Sequence, residues 1–265
     1  MSVLFNHAIR YEWLEQGRNP IALVRQSAQR QWTPEILEPH EIQHLLLQLN
    51  SCFRLMVLLD VTTGLRRSEL LALKWSDVDF SSLQLNVVRS IYRRIVGNCK
   101  TEARKPVPLN PPVAADLWLW KEASKYSNSD DWIFASPHTK GKYPFWPNVL
   151  LLKIIQPAAR RAGITKRIGW HTFRHSYSSL LVANGENVKV VQGLMRHASS
   201  RFTLDVYSQA RRNFLQADLW LARRRSWIII SELPVTLTQS SQAASRSRRA
   251  LINKAGGAQT QVFGH

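Results

Sequence analysis

The spacing of apolar residues predicts a chain built mainly of helices. From Pro39 onward, Ile42, Leu45 and Leu46 fall on one helical face, and a proline in the first turn is typical of a helix start. The next run, CFRLMVLLDVTT, is apolar nearly all round and therefore predicts a buried helix that ends at Gly64. Similar patterns predict further helices at about 3–16, 65–73, 111–126, 147–162, 171–184, 187–195, 200–207 and 210–225.

One part of the chain interrupts the helical pattern. Residues 83–96 are rich in β-branched and aromatic side chains, Gly97-Asn98 is a turn signal, and residues 104–109 form a second candidate strand. These segments predict an antiparallel hairpin with Lys100 at its tip. The segment DWIFAS predicts a short buried stretch. The fold class that follows is mainly α with a small antiparallel β-sheet (α+β).

Composition divides the chain into three parts. Residues 1–30 contain one helix and a linker-like segment, residues 31–225 contain most of the predicted elements, and residues 226–265 are rich in Ser, Gln, Arg and Gly. A segment of that last composition buries too little apolar surface to fold, so we expect a basic, disordered tail.

The charge of the chain is strongly positive, and most of the excess lies in the predicted folded part. The chain has 36 Lys and Arg residues against 18 Asp and Glu, a formal net charge of +18. Residues 51–220 carry 25 of the basic side chains and 12 of the acidic ones. A polyanion, and nucleic acid first of all, is the expected partner. A basic protein without such a partner is the alternative that charge alone leaves open.

Several other classes of protein are disfavoured. Cys52 and Cys99 are the only cysteines, so the sequence offers no disulfide framework and no cysteine metal site, which fits a reducing cytosol. The first residues lack the basic region and apolar run of a signal peptide, and no stretch is long enough to span a membrane. We therefore expect a cytoplasmic protein with no membrane association and no metal site.

Two basic residues are candidates for anion binding. Arg66 is predicted in the first turn of the helix after Gly64, where its guanidinium can join free backbone N–H groups facing an anion. Lys100, at the tip of the predicted hairpin, can extend into a groove. A solvated helix surface and an ordinary charged turn are the alternatives at these two positions.

Four further candidates lie towards the C-terminus. His171 and Arg174 are three residues apart in one predicted helix, so they share a face and can supply a proton-transfer group and a bidentate clamp for one phosphate. Tyr207 lies ten residues after His197, and neighbouring cations would favour the phenolate that a tyrosine nucleophile needs. A core histidine beside a surface arginine, and a tyrosine packed in a helix, are the alternatives.

The six candidates together fit one reaction. Phosphodiester transesterification needs a nucleophile, cations on the non-bridging oxygens, an acid for the leaving alcohol and a group that moves the nucleophile's proton. The chain offers side chains for each of these tasks, with one histidine as additional support: Tyr207, Arg66 and Arg174, Lys100, His171 and His197.

These residues stand in five motifs that resemble the ordered signature boxes of the tyrosine recombinase (phage integrase) family. The motifs are TGLRRSELLALKW, KTEARKPVPL, WHTFRHSYSS, LMRHAS and TLDVY, within about residues 33–215. The resemblance implies the catalytic-domain fold of that family, with a small three-stranded sheet and a basic cleft that holds double-stranded DNA. It also implies that the six candidates form the active-site set.

The family mechanism implies a role for each residue. Tyr207 attacks the scissile phosphate and forms a 3′-phosphotyrosyl link, while Arg66 and Arg174 stabilise the charge on the phosphorus. Lys100 protonates the departing 5′-oxygen, and His171 takes the tyrosine proton. The second histidine of the set bonds the phosphate or supports the tyrosine.

The resemblance also implies what accompanies the reaction. The covalent link conserves the phosphodiester energy, so no cofactor and no small-molecule substrate are expected, and cationic side chains take the place of metal ions. The expected assembly is a homotetramer on DNA, in the bacterial cytosol and associated with the nucleoid. DNA integration or recombination is the expected outcome.

The chain departs from the family pattern at three places. Residues 1–30 resemble only the last helix and linker of the family's N-terminal core-binding domain, so we expect most of the DNA clamp to be missing and DNA binding to be weaker. Residues 226–265 do not resemble the packed element that often follows the tyrosine. Arg196 occupies the place of the family's common glycine before the second histidine, and we expect it to be tolerated because the position is a helix end.

Two alternative functions stay open on the sequence alone. A truncated, catalytically inactive DNA-binding remnant of an integrase would bind DNA without forming a covalent adduct. An enzyme similar to type IB topoisomerases would relax supercoiled plasmid without any site preference.

Overall fold

The computed structural model describes residues 2–22, 35–99 and 106–196. The chain divides into two compact units, residues 1–33 and 34–265. Three of the six expected site residues and the C-terminal elements lie outside the described residues: Lys100, His197, Tyr207, the helices expected at 200–207 and 210–225, and the tail 226–265.

The first unit has one helix, α1, over Ser2–Arg10, and a single 3-10 turn over Pro20–Ala22. The expected helix at 3–16 is therefore shorter at its C-terminal end. Glu12 has a φ of 60°, which lies in the left-handed region and ends the helical hydrogen bonding. Asn19 then donates a side-chain hydrogen bond to the Asn6 Oδ1 atom at 2.7 Å, which fixes the return of the chain.

The second unit is mainly helical, as its apolar pattern predicts. Gly163, with a φ of 76°, ends the helical stretch predicted at 147–162, which contains two short α-helices joined by a π-turn at Leu151–Ile155. The helices are α2 (Pro39–Leu47), α3 (Ser51–Thr63), α4 (Arg67–Leu70), α5 (Pro111–Ala123), α6 (Pro147–Leu150), α7 (Gln156–Arg161), α8 (Trp170–Ala183) and α9 (Val188–Met195).

Helix α3 forms the centre of the core. Every residue from Leu55 to Val61 is buried, and the helix packs against α5 and α8. The Asn50 side chain accepts the first-turn N–H of Phe53, and Gly64 ends the helix with a left-handed φ of 60°. The DWIFAS segment is buried beside this core, as predicted, with Ile133 and Phe134 fully inaccessible. Because the core surrounds α3, this helix can fix the position of the residues that follow it in the chain.

The described strands form two small antiparallel sheets. The first has the order β1 (Val78–Asp79), β2 (Gln84–Leu85) and β5 (Val107–Pro108), and it agrees with the three-stranded sheet that the family resemblance implies. The second is a hairpin of β3 (Arg89–Tyr92) and β4 (Ile95–Asn98). The fold class expected from the sequence is confirmed.

The position of the hairpin turn was predicted wrongly. The turn lies at Arg93-Arg94, and both residues of the expected turn, Gly97 and Asn98, pair with strand β3 instead. Arg93 and Arg94 have φ values of 49° and 67°, and two consecutive left-handed residues match the twist of a two-residue hairpin. Lys100, which was expected at the tip of the predicted hairpin, lies outside the described residues.

Candidate active site

Arg66 leaves the core at the junction of α3 and α4. Its backbone is extended, and its side chain is 37% exposed. The backbone N–H donates to Glu69 Oε2 at 2.9 Å, and Nη1 donates to Glu69 Oε1 at 2.8 Å. Glu69 thus accepts the backbone N–H of Arg66, so that N–H is not free for an anion. The guanidinium is what remains available for an anion.

Arg174 lies almost fully buried in α8, with 5% of its surface exposed. Its Nη1 donates to the backbone oxygen of Gly64 and its Nη2 to the backbone oxygen of Met195. Burial, with the nearby Arg66 guanidinium, lowers the pKa of Arg174 to about 10, so the side chain is charged at neutral pH. A solvated surface arginine, the alternative considered for this position, is excluded.

His171 precedes Arg174 by about one turn of α8 and reaches solvent. Partial burial of the imidazole, followed by the charges of Arg174, Arg67 and Arg66, lowers its pKa below the ordinary value. The neutral ring is therefore favoured near pH 7, and a neutral ring can accept a proton. His171 and Arg174 share the face that their spacing predicts.

The C-terminal end of α9 joins these residues to each other. Nη2 of Arg66 donates to the backbone oxygen of Arg196 at 3.1 Å, next to the Met195 oxygen that accepts from Arg174. Nη2 of Arg196 donates to Glu69 Oε2 at 2.5 Å. The neighbouring backbone carbonyls of Arg196 and Met195 thus hold the side chains of Arg66 and Arg174, the two arginines that are expected to bind an anion.

Sequence reasoning missed three members of this cluster: Glu69, Arg196 and Asp60. Glu69, three residues after Arg66, had the spacing of a residue that binds back to a helix start, and this signal could have identified it. Arg196 was noted only as a tolerated substitution for glycine. Asp60 had no sequence signal, because its place in an apolar helix hides its contacts.

The cluster has an excess of positive charge. Within the described residues, neither carboxylate oxygen of Asp60 has a hydrogen-bond partner. Burial raises the pKa of Asp60 well above its usual range, despite the opposing effect of Arg174, so the neutral acid is favoured. Three arginines then face one paired carboxylate, that of Glu69. Such an arrangement favours an incoming anion.

A cavity of about 360 Å³ opens on the other side of α4. Its charged lining side chains, among the described residues, are all basic, and the first of them is Arg67. Arg94 lies 5.1 Å from the ring centroid of Tyr143 and 5.8 Å from that of Trp146, and Arg93 lies over Tyr92. Guanidinium groups can bind the phosphates of a nucleic acid, and aromatic rings beside them can add contacts to its bases.

The described chain approaches the undescribed site residues at two places. Cys99, which directly precedes Lys100, is buried and close enough to Arg196 to affect its pKa. Arg196 directly precedes His197. Of the six expected residues, the structure thus brings Arg66, His171 and Arg174 together and says nothing of the other three.

Two further features concern residues 2–22, 35–99 and 106–196. No helix in those ranges is long and apolar enough to cross a membrane. The same residues contain no group of three or more His, Cys, Asp or Glu side chains that could hold a metal ion.

Comparison with known proteins supplies the family. The model of the phage integrase family matches residues 35–213. The chain is 28% identical over 199 residues to the tyrosine recombinase XerD of Listeria innocua, covering 69% of this chain and 61% of the relative. It is 31% identical over 194 residues to a tyrosine recombinase of Pseudothermotoga lettingae (72% and 62%) and 28% identical over 225 residues to the ICEBs1 integrase of Bacillus subtilis (78% and 58%). The chain thus spans about three fifths of the length of these relatives.

Solved structures support the same fold. The Tn1549 transposon integrase, solved in complex with a circular intermediate DNA, superposes with a TM-score of 0.64 at 19% identity, covering 82% of this chain and 76% of that one. XerA recombinase gives a TM-score of 0.57 at 18% identity, covering 81% and 73%.

Proposed function

The chain belongs to the phage integrase family of tyrosine recombinases, and from this premise we propose that it is a site-specific DNA recombinase that cleaves and rejoins DNA through a 3′-phosphotyrosyl intermediate. One observation carries the proposal: Arg66 and Arg174, more than 100 residues apart, donate to adjacent carbonyls at the end of α9. Arginines held in this way are preorganised for one anion. The relatives in the comparison include recombinases and integrases, which supports this reaction class.

The proposed cleavage is a transesterification at phosphorus. The Tyr207 phenol oxygen forms a bond to phosphorus while its proton passes to His171, whose lowered pKa favours the neutral ring. The bond from phosphorus to the 5′-oxygen breaks, and Lys100 protonates that oxygen. Arg66 and Arg174 stabilise the charge on the non-bridging oxygens, with His197 as additional support. Attack by a 5′-hydroxyl reverses the step and rejoins the strands.

Double-stranded DNA is the proposed substrate. The net charge of +18, the basic site and the arginine–aromatic cavity beside α4 all favour a polyanion. Neighbours with this fold have been solved on DNA, including the Tn1549 transposon integrase. We further propose a homotetramer on DNA in the cytosol, associated with the nucleoid, and mass measurement of the protein–DNA complex tests that assembly.

Trapping of the covalent intermediate tests the proposed reaction. A library of duplexes with randomised flanks and a nick beside the cleavage position loses the short 5′-hydroxyl fragment, which prevents rejoining. We expect a protein–DNA adduct that survives denaturation, and its absence in Tyr207→Phe. DNA binding without any adduct would contradict the proposal and favour an inactive DNA-binding remnant. Site-independent relaxation of supercoiled plasmid would instead favour a topoisomerase.

A further inference from the structure

Arg196 has a backbone conformation that is usual for glycine. It ends α9 with a φ of 49° and a ψ of 46°, in the left-handed region, where an L side chain is strained. The resemblance to the family implies glycine at this place. The backbone conformation at position 196 therefore does not explain why this chain has an arginine there.

The backbone of Arg196 makes contacts that glycine would also make. Its carbonyl oxygen accepts the hydrogen bond from Arg66 Nη2 at 3.1 Å. Its N–H donates to the Gly193 oxygen at 3.0 Å, which closes the helix end. A change to glycine therefore keeps these contacts and removes only the side chain, so the two contributions can be separated.

The side chain of Arg196 makes a contact that glycine cannot make. The side chain is 1% exposed, and its Nη2 lies 2.5 Å from Oε2 of Glu69, whose own side chain is 4% exposed. The second oxygen of Glu69 accepts from Arg66 Nη1 at 2.8 Å. One carboxylate thus links the two arginines and leaves Glu69 little freedom to rotate.

We propose that Arg196 is a positioning residue for Arg66, acting through Glu69. By occupying Oε2, the Arg196 guanidinium fixes the Glu69 carboxylate so that Oε1 presents Arg66 in one orientation towards the scissile phosphate. Within the described residues, the Nε and Nη1 atoms of Arg196 have no hydrogen-bond partner, so the side chain makes its described hydrogen bond to this carboxylate alone. The inference rests on the proposed recombinase function.

Single-turnover cleavage at saturating DNA tests this role. Arg196→Gly should slow cleavage about tenfold to a hundredfold, because a small misplacement of a phosphate-binding group has effects of that size. DNA affinity should change by less than about twofold, since Arg66 itself is retained. Arg196→Lys, which keeps the charge and one donor, should retain part of the rate.

Two features distinguish positioning from a merely structural effect. Free guanidinium ion at millimolar concentration should partly restore the rate of Arg196→Gly, because the substitution empties a buried site next to Glu69. The matched control is Lys140→Gly, which likewise replaces a cation at a left-handed position, φ 50°, but an exposed cation that is far from the cluster in sequence. It should keep the wild-type rate and show no rescue.

The outcomes separate this inference from the proposed function. If the wild-type chain forms no covalent adduct, the proposed function fails. If the wild type forms the adduct and Arg196→Gly cleaves as fast or faster, only the role of Arg196 is overturned. A slow variant that guanidinium does not rescue, and whose melting temperature has fallen, would likewise overturn positioning and leave a structural role.

Discussion

At the scale of single residues, the cluster shows why arginine rather than lysine occupies position 174. Two terminal nitrogens of Arg174 bind two backbone oxygens that belong to different parts of the chain, those of Gly64 and Met195. The planar guanidinium still has N–H groups left to donate to an anion, whereas an ammonium is a point charge that cannot make all these contacts in fixed directions.

Arg174→Lys should therefore slow single-turnover cleavage by at least about a hundredfold, or about 2–3 kcal/mol, the cost of losing one fixed oxyanion donor. The measurement is adduct formation on the nicked duplex at saturating protein. Arg160→Lys, at an exposed position in α7, is the matched control and should have no effect. Equal rates for the two variants would mean that charge alone suffices at position 174.

The lowered pKa of His171 predicts how the cleavage rate depends on pH. Its folded-state pKa is lowered, by partial burial and then by Arg174, so the neutral base is present above a pKa that lies below about 6.5. The cleavage rate should rise with pH through that pKa and be level at neutral pH. His171→Asn should remove the acid limb and slow cleavage by about a hundredfold or more.

The matched control for this pH profile is His44→Asn, because His44 is exposed on α2 and has no place in the cluster. Its profile should overlay that of the wild type. An unchanged acid limb in His171→Asn would show that another group accepts the proton.

At the scale of elements, the sequence predicted those helices and helix ends that depend on residues close together in the chain. The buried helix that ends at Gly64 and the end of the helical stretch at Gly163 were predicted because apolar periodicity and left-handed glycines act within a few residues. The hairpin turn was not predicted, because Arg93 and Arg94 lack the usual turn chemistry. Arg94 contacts the rings of Tyr143 and Trp146, which lie about fifty residues further along the chain.

In the candidate site, too, some contacts follow from a local sequence pattern and others do not. The pair at positions 171 and 174 could be predicted, because both side chains lie on one helix and their spacing alone places them on one face. The link from Arg66 to Arg196 could not be predicted, since it joins residues 130 apart and involves a backbone oxygen that no sequence pattern marks. Tertiary contacts of this kind depend on how α4 and α9 pack.

Substitutions at the hairpin turn can distinguish an effect on folding from an effect on DNA binding. Replacing Arg93-Arg94 with Asn-Gly supplies the preferred residues for two consecutive left-handed positions, so the melting temperature should stay equal or rise. DNA affinity should fall, and the slope of log K against log salt should decrease by about two if both arginines contact phosphates.

A second pair of substitutions controls for the loss of charge. Lys153→Gln with Arg160→Gln removes two exposed positive charges that do not line the cavity beside α4. That variant should keep nearly the wild-type salt slope. If both double variants shifted the slope equally, only net charge would matter, and the cavity would have no specific part in DNA binding.

At the scale of the whole molecule, the cluster depends on three helices meeting at one glycine. Gly64 ends α3, its oxygen accepts from Arg174 of α8, and a Cβ atom placed on it would overlap Tyr177 Cδ1 and lie 3.1 Å from Met195 Sδ. The close approach of α8 and α9 to this point therefore requires the absence of a side chain. The same residue thus fixes the core packing and the position of the carbonyl that holds Arg174.

This convergence predicts a difference between two glycines of similar backbone conformation. Gly163→Ala has left-handed strain but no atom within 4 Å of the new Cβ, so it should cost about 1–2 kcal/mol in the free energy of unfolding. Gly64→Ala has the same strain plus overpacking against a buried ring, which adds about 1–3 kcal/mol. It should also slow cleavage in protein that remains folded, because the shifted carbonyl no longer holds Arg174.

Urea unfolding followed by single-turnover cleavage measures both effects, and combining Gly64→Ala with Tyr177→Leu should recover the steric part of the loss only. Equal destabilisation by the two alanines would mean that α8 and α9 can move away from Gly64, and that the cluster does not depend on their close packing.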